Sequence, residues 1–125
     1  MNTSPSATAN NPLLHLLKNT TVSMVASDSH DLTGRQLGVF LTVYLEQGDH
    51  TVRGMAAKLN VSKPAITRAL DRLTEFDLVR REDDPKDRRS VLVLRTQAGA
   101  AYLRKIASFL RDSYKNGLHD AEKAA

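Results

Sequence analysis

The sequence contains no cysteine. Disulfides, a Cys-based zinc site and a thiol redox sensor are therefore excluded. No apolar run approaches the roughly 18–20 residues that a membrane span needs. The first residues lack the basic start and apolar centre of a signal peptide, so a cytoplasmic location and no membrane partner are expected. His15, His30, His50 and His119 are scattered without ligand spacing, which points away from a metal site and from His-based catalysis. There is no nucleophile–base set, no phosphate-cradling glycine loop and no internal repeat. No catalytic residue and no cofactor is expected.

What is present suits a folded chain with one core. Of 125 residues, 41% are hydrophobic and 26% charged, enough for a single domain. The net charge of +4 is unevenly spread. Residues 1–49 carry two basic and four acidic side chains, residues 50–95 eleven and seven, and residues 96–125 five and three. The basic excess in the middle and the tail hints at a polyanionic partner.

Residues 1–11 are small and polar and read as a disordered tail. Asn11-Pro12 is an N-cap followed by a first-turn proline, opening a helix over 12–27. Thr33 and Gln36 fit a capping box. Leu37, Phe40, Leu41, Tyr44 and Leu45 then form one stripe at helical spacing, with Gly48 as the stop. An extended link, His50–Val52, leads to a short helix whose buried side is Met55, Ala56 and Leu59 and whose left-handed stop is Asn60. Ser62 caps the next helix and Pro64 sits in its first turn. Ile66, Leu70 and Leu73 face inward there, while Lys63, Thr67, Arg68 and Arg72 lie away from that stripe. Two helices joined so tightly make a helix-turn-helix over about 52–76.

Apolar runs at 78–81 and 90–94 flank the stretch "REDDPKDRRSVLV", whose Asp83, Asp84 and Pro85 are turn formers. This reads as a β-hairpin over 78–94 with a long charged tip. Thr96 then caps a helix over 97–116, with Ala98, Tyr102, Ile106, Phe109 and Tyr114 along one side, and 119–125 is a tail. The expected fold is mainly α with a small β-hairpin wing. It is a winged helix-turn-helix in one domain, 12–118, with dimerisation helices at 12–27 and 97–116.

In this frame the acids of the hairpin have a role. Asp87, two residues before Arg89, is placed to hold that guanidinium extended by a charge-assisted hydrogen bond. An arginine at a hairpin tip suits the minor groove, where A·T tracts concentrate negative potential.

Residues 32–103 resemble the DNA-binding core of the MarR family, the multiple-antibiotic-resistance regulators. The family's wing signature D-x-R-x-x-x-V is met by Asp87, Arg89 and Val93, and its D-P-x-D-R-R form by Asp84, Pro85, Asp87, Arg88 and Arg89. Its recognition-helix start is met by Ser62, Lys63, Pro64, Ala65, Thr67 and Arg68. The resemblance implies a dimeric transcriptional regulator, usually a repressor, on double-stranded DNA. It implies a recognition helix in the major groove (Ser62, Lys63, Pro64, Thr67, Arg68 and Arg72) and a wing on the minor groove and backbone (Lys86, Asp87, Arg88 and Arg89). Many members also answer to a small aromatic effector, so one is a candidate partner here, with no binding residue assigned. Two positions depart from the pattern. Asp77 stands where the family usually has Gly, and Arg95 where Leu precedes the Thr cap. Residues 117–125 leave at most a stub of the family's last dimerisation helix.

The bland alternatives are solvated charges at Arg88 and Arg89, a plain exposed face at Lys63, Thr67 and Arg68, and core or dimer contacts at Tyr102 and Tyr114. A different functional class is a winged-helix protein–protein adaptor that has kept the fold without binding specific DNA.

Overall fold

The computed structural model describes the backbone of residues 5–124 and the side chains of residues 7–116. The chain divides into two compact units, one built from Leu32–Leu103 and the other from the residues before and after it. The last helix, α6, begins in one unit and ends in the other.

The outer unit contains α1 (Pro5–Ala9), α2 (Pro12–Ala26) and most of α6 (Gln97–Ala124). The tail expected to be disordered carries a helical turn at 5–9; residues 1–4 lie outside the described ones. At α2 the Asn11 side chain accepts from the Leu13 amide at 2.9 Å, the cap foreseen from Asn-Pro. Its leucines do not form a core, however. Leu13, Leu17 and Val25 are 62–69% exposed, whereas Thr20 is buried. On α6, Tyr102 and Ile106 are buried, but Tyr114 is exposed. The helix also continues through the segment expected to be a C-terminal tail.

The inner unit holds α3 (Gly34–Leu45), β1 (His50–Thr51), α4 (Val52–Leu59), α5 (Lys63–Glu75), β2 (Val79–Asp84), β3 (Asp87–Arg95) and the first turns of α6. The capping box of Thr33 and Gln36 forms in both directions. The buried face of α3 is Val39, Phe40, Val43 and Tyr44, while Leu45 is exposed. The core-facing stripe is therefore rotated from the expected one, with the β-branched valines inside. Phe40 meets Tyr44 at a 4.5 Å ring separation and Tyr102 edge-on at 5.2 Å. Ile66, Leu70 and Leu73 of α5 are fully buried, each stabilising the fold by roughly 1.5–3 kcal/mol.

The sheet has the order β1-β3-β2. The link at His50–Thr51 is a true strand, pairing His50 with Val93 and Thr51 with Leu92. The hairpin runs in register from Val79↔Arg95 to Asp83↔Val91, then jumps to Asp84↔Asp87. Strand pairing needs only backbone groups, so the ladder extends through the charged residues. The tip shrinks to a turn at Pro85 and Lys86 instead of a long loop. At the jump Arg88, Arg89 and Ser90 have no cross-strand partner, a bulge that re-aims side chains.

Candidate nucleic-acid interface

The helix-turn-helix is fixed by short-range chemistry. Thr51 caps α4 by accepting from the Gly54 amide. Asn60 ends α4 in the left-handed region at φ 56°, which Asn tolerates. Ser62 then caps α5 by accepting from the Ala65 amide at 3.2 Å, with Pro64 in the first turn. Ala65 and Ala69, small and buried, join the apolar face of α5. Lys63, Pro64 and Arg68 are exposed on the other side, as expected from the pattern.

Thr67 and Arg72 occupy different surroundings from those three. Thr67 is half-buried and lines a small crevice with Arg53, Lys63, Arg81 and Arg89. Arg72 lies in the last turn of α5, ion-paired with Glu75 and stacked over the Phe76 ring at 5.2 Å.

The wing is anchored at its root by contacts that sequence patterning did not expose. The Tyr44 hydroxyl donates to the Leu78 carbonyl at 2.7 Å and accepts from the Thr96 amide at 2.9 Å. The Thr96 hydroxyl donates to the Asp77 carbonyl at 2.7 Å and accepts from the Gly99 amide. Asp77 itself is left-handed, φ 60°, which accounts for its tolerance where the family has Gly. A Cβ on Gly99 would sit 1.7 Å from the Tyr44 hydroxyl and 2.3 Å from the Leu78 carbonyl oxygen, so this close approach requires glycine. Arg95, the other departure, donates to the carbonyls of Val43 and Glu46 and so closes the C-terminal end of α3. Arg81 of β2 pairs with Asp71 of α5 at 2.8 Å, tying the hairpin to α5.

At the tip the two acids act on the backbone. Asp84 accepts from the Lys86 amide at 2.9 Å, and Asp87 from the Arg89 amide at 3.0 Å. The Arg89 guanidinium is 3.8 Å from the Asp87 carboxylate, beyond a hydrogen bond, and its side chain is 85% exposed. Asp87 therefore does not clamp the guanidinium as the D-x-R spacing suggested. It shapes the turn from which Arg89 projects. Lys86 and Arg88 are exposed beside it. Among the described residues no group of His, Asp or Glu side chains is placed to hold a metal ion, and no helix is long and apolar enough to cross a membrane.

The residues that build this capped helix and most of the hairpin fall within 30–90, the stretch matched by the sequence model of the MarR family. Over these residues the chain resembles the MarR family. A Bacillus subtilis protein described as an uncharacterized HTH-type transcriptional regulator, YcgE, is 29% identical over 90 residues, 67% of this chain. The chain spans 58% of that relative's length. Among solved structures, wild-type MarR from E. coli in its apo form is 26% identical, with a TM-score of 0.65 over 96% of this chain and 85% of that one. The transcriptional regulator BldR from Sulfolobus solfataricus is 28% identical, with a TM-score of 0.62 over 82% of this chain and 71% of that one. The winged-helix architecture foreseen from the sequence is the one observed, mainly helical with a small antiparallel hairpin.

Proposed function

We propose that this chain is a MarR-type regulator, homodimeric and binding double-stranded DNA sequence-specifically, a repressor acting on a pseudo-palindromic operator. The observation that carries the reading is the exposed first half of α5, with Lys63, Pro64 and Arg68 outward, next to a wing whose bulge projects Arg88 and Arg89. An exposed helix of this kind fits the major groove, and an exposed arginine at a hairpin tip fits the minor groove.

In this reading Arg68 bonds guanine, Pro64 or the Thr67 methyl meets a thymine methyl, and Ser62 lies near a phosphate at the helix start. Arg89 enters the minor groove, and Lys86 and Arg88 take flanking phosphates. Asp87 contributes by fixing the turn. Arg72 is the most peripheral of the set, being occupied by Glu75 and Phe76. The dimer forms through the two ends of the chain, where α2 and α6 expose Leu13, Leu17, Val22, Val25, Leu110 and Tyr114. Faces of this kind mark an interface. A small aromatic effector that releases the DNA, and a cytoplasmic location, complete the reading.

Selection of bound sequences from a random DNA pool tests it directly. A palindrome with half-sites about one helical turn apart is the expected product. Arg68→Ala should then cost about 1–3 kcal/mol and relax one position in each half-site. Recovery of no preferred sequence, with only weak salt-insensitive binding, would favour the protein–protein adaptor instead.

A further inference from the structure

The three helices of the inner unit break one electrostatic rule in the same way. A helix N-terminus carries partial positive charge and favours acidic residues in its first turn. None of α3, α4 and α5 has an acid there. Each has a cation instead: Arg35 at the second position of α3, Arg53 at the second position of α4, and Lys63 at the first position of α5. A basic side chain so placed opposes the helix dipole, which destabilises the helix by a few tenths of a kcal/mol or more. The fold does not compensate for it. Arg35, Arg53 and Lys63 are exposed, and none has an ion-pair partner among the described residues. In the same unit Lys58, Arg72, Arg80 and Arg81 are paired with acids, whereas Arg68, Lys86 and Arg88 of α5 and the wing are, like these three, without an ion pair among the described residues.

The unpaired cations open onto the two flanks of α5. On one side Arg35, with Thr33 and Gln36, lines a groove shared with Ala65, Arg68 and Ala69. The capping box occupies only the Gln36 amide there, so the Gly34 and Arg35 amides have no intrahelical partner. On the other side Arg53 lines the crevice shared with Lys63, Thr67 and Arg89. That crevice holds about 120 Å³, well below the roughly 300 Å³ at which pockets enclose organic ligands.

We propose that Arg35 and Arg53 are two DNA-backbone clamps, each holding a phosphate on one flank of the recognition helix. Each clamp combines a guanidinium, which binds phosphate bidentately, with the positive end of a helix. Together they fix the depth and tilt at which α5 enters the groove and carry no sequence information of their own. The inference rests on the DNA-binding reading above and adds two residues outside the recognition helix and the wing.

The test is the salt dependence of duplex binding by the full chain, followed by fluorescence anisotropy between about 50 and 200 mM salt. Arg35→Gln and Arg53→Gln should each weaken operator and random duplex by the same factor. Each should flatten the log–log salt slope by about 0.9 per subunit. Arg53→Lys should restore most of the slope, and Arg111→Gln, on α6, should leave it unchanged. The thermal midpoint should not fall in either glutamine variant, because the lost cation opposed its own helix. Slopes equal to the parent's would overturn the clamps, as would weakening confined to the operator or a lowered midpoint. If the parent itself binds neither duplex, the DNA-binding reading fails first, and the clamps with it.

Discussion

The root and the tip of the wing belong to one hairpin, but they are held by different physics. At the root, four hydrogen bonds link Tyr44 of α3, the Asp77–Leu78 segment before β2, and Thr96 with Gly99 at the start of α6, in a site too tight for any side chain at Gly99. At the tip, Asp84 and Asp87 each reach only two residues along the chain, and the arginines stand in solvent. Buried hydrogen bonds are costly to break, because the groups left behind lose both partner and water. Exposed turns lose little when a partner is removed. The hairpin thus has a fixed base and an adaptable end, as suits the groove-entering role proposed for it.

Gly99→Ala should give the largest effect. The added methyl overlaps the Tyr44 hydroxyl and a backbone carbonyl, and overpacking of this severity costs about 3 kcal/mol. Denaturant unfolding measures it, and operator affinity should fall in parallel as the wing shifts. Next is Tyr44→Phe, which keeps the ring packing and removes only the hydroxyl. The Leu78 carbonyl and the Thr96 amide then lose a partner, at about 1–3 kcal/mol. Unchanged stability and unchanged operator affinity in this variant would remove the root's claim to be a latch.

The tip should behave in the opposite way. Asp87→Ala is expected to leave the unfolding midpoint nearly unchanged while separating two affinities. Specific binding weakens because the turn that presents Arg89 loosens, and random-duplex binding tightens because an acid has left the surface. A midpoint drop as large as that of Tyr44→Phe would erase the contrast between the two ends. Equal tightening on both duplexes would reduce Asp87 to a brake on non-specific attraction. The smallest effect is expected for Lys86→Ala, with no change in stability and a salt slope flatter by about one counterion per subunit on any sequence.

Much of this was legible in the residues because it depends on neighbours in the chain. The caps at Asn11, Thr33 and Ser62, the left-handed Asn60, and the inward face of Ile66, Leu70 and Leu73 all involve groups within about one or two helical turns. The wing signature was readable for the same reason. The burial of Thr20 on α2 was not, because a polar residue in a helical pattern carries no sign of what will pack against it. The bulge was equally invisible. Strict alternation along β3 would place Asp87 and Arg89 side by side, whereas the register jump leaves Arg88, Arg89 and Ser90 unpaired and turns Asp87 toward a backbone amide.

By itself, then, the sequence determined the element order, the caps, the helix α5 with its outward Lys63 and Arg68, and the resemblance to the MarR family. Each follows from local propensity and spacing. Only the tertiary structure decided that Tyr44 bonds to Leu78 and Thr96, that Arg95 closes α3, that Arg81 reaches Asp71, and that Arg35 and Arg53 flank α5. In the first three, a hydroxyl or guanidinium meets a group ten to 52 residues away. In the last, two arginines and the helix between them come from separate elements. A linear pattern carries no distance between such groups until the core has packed and brought them together.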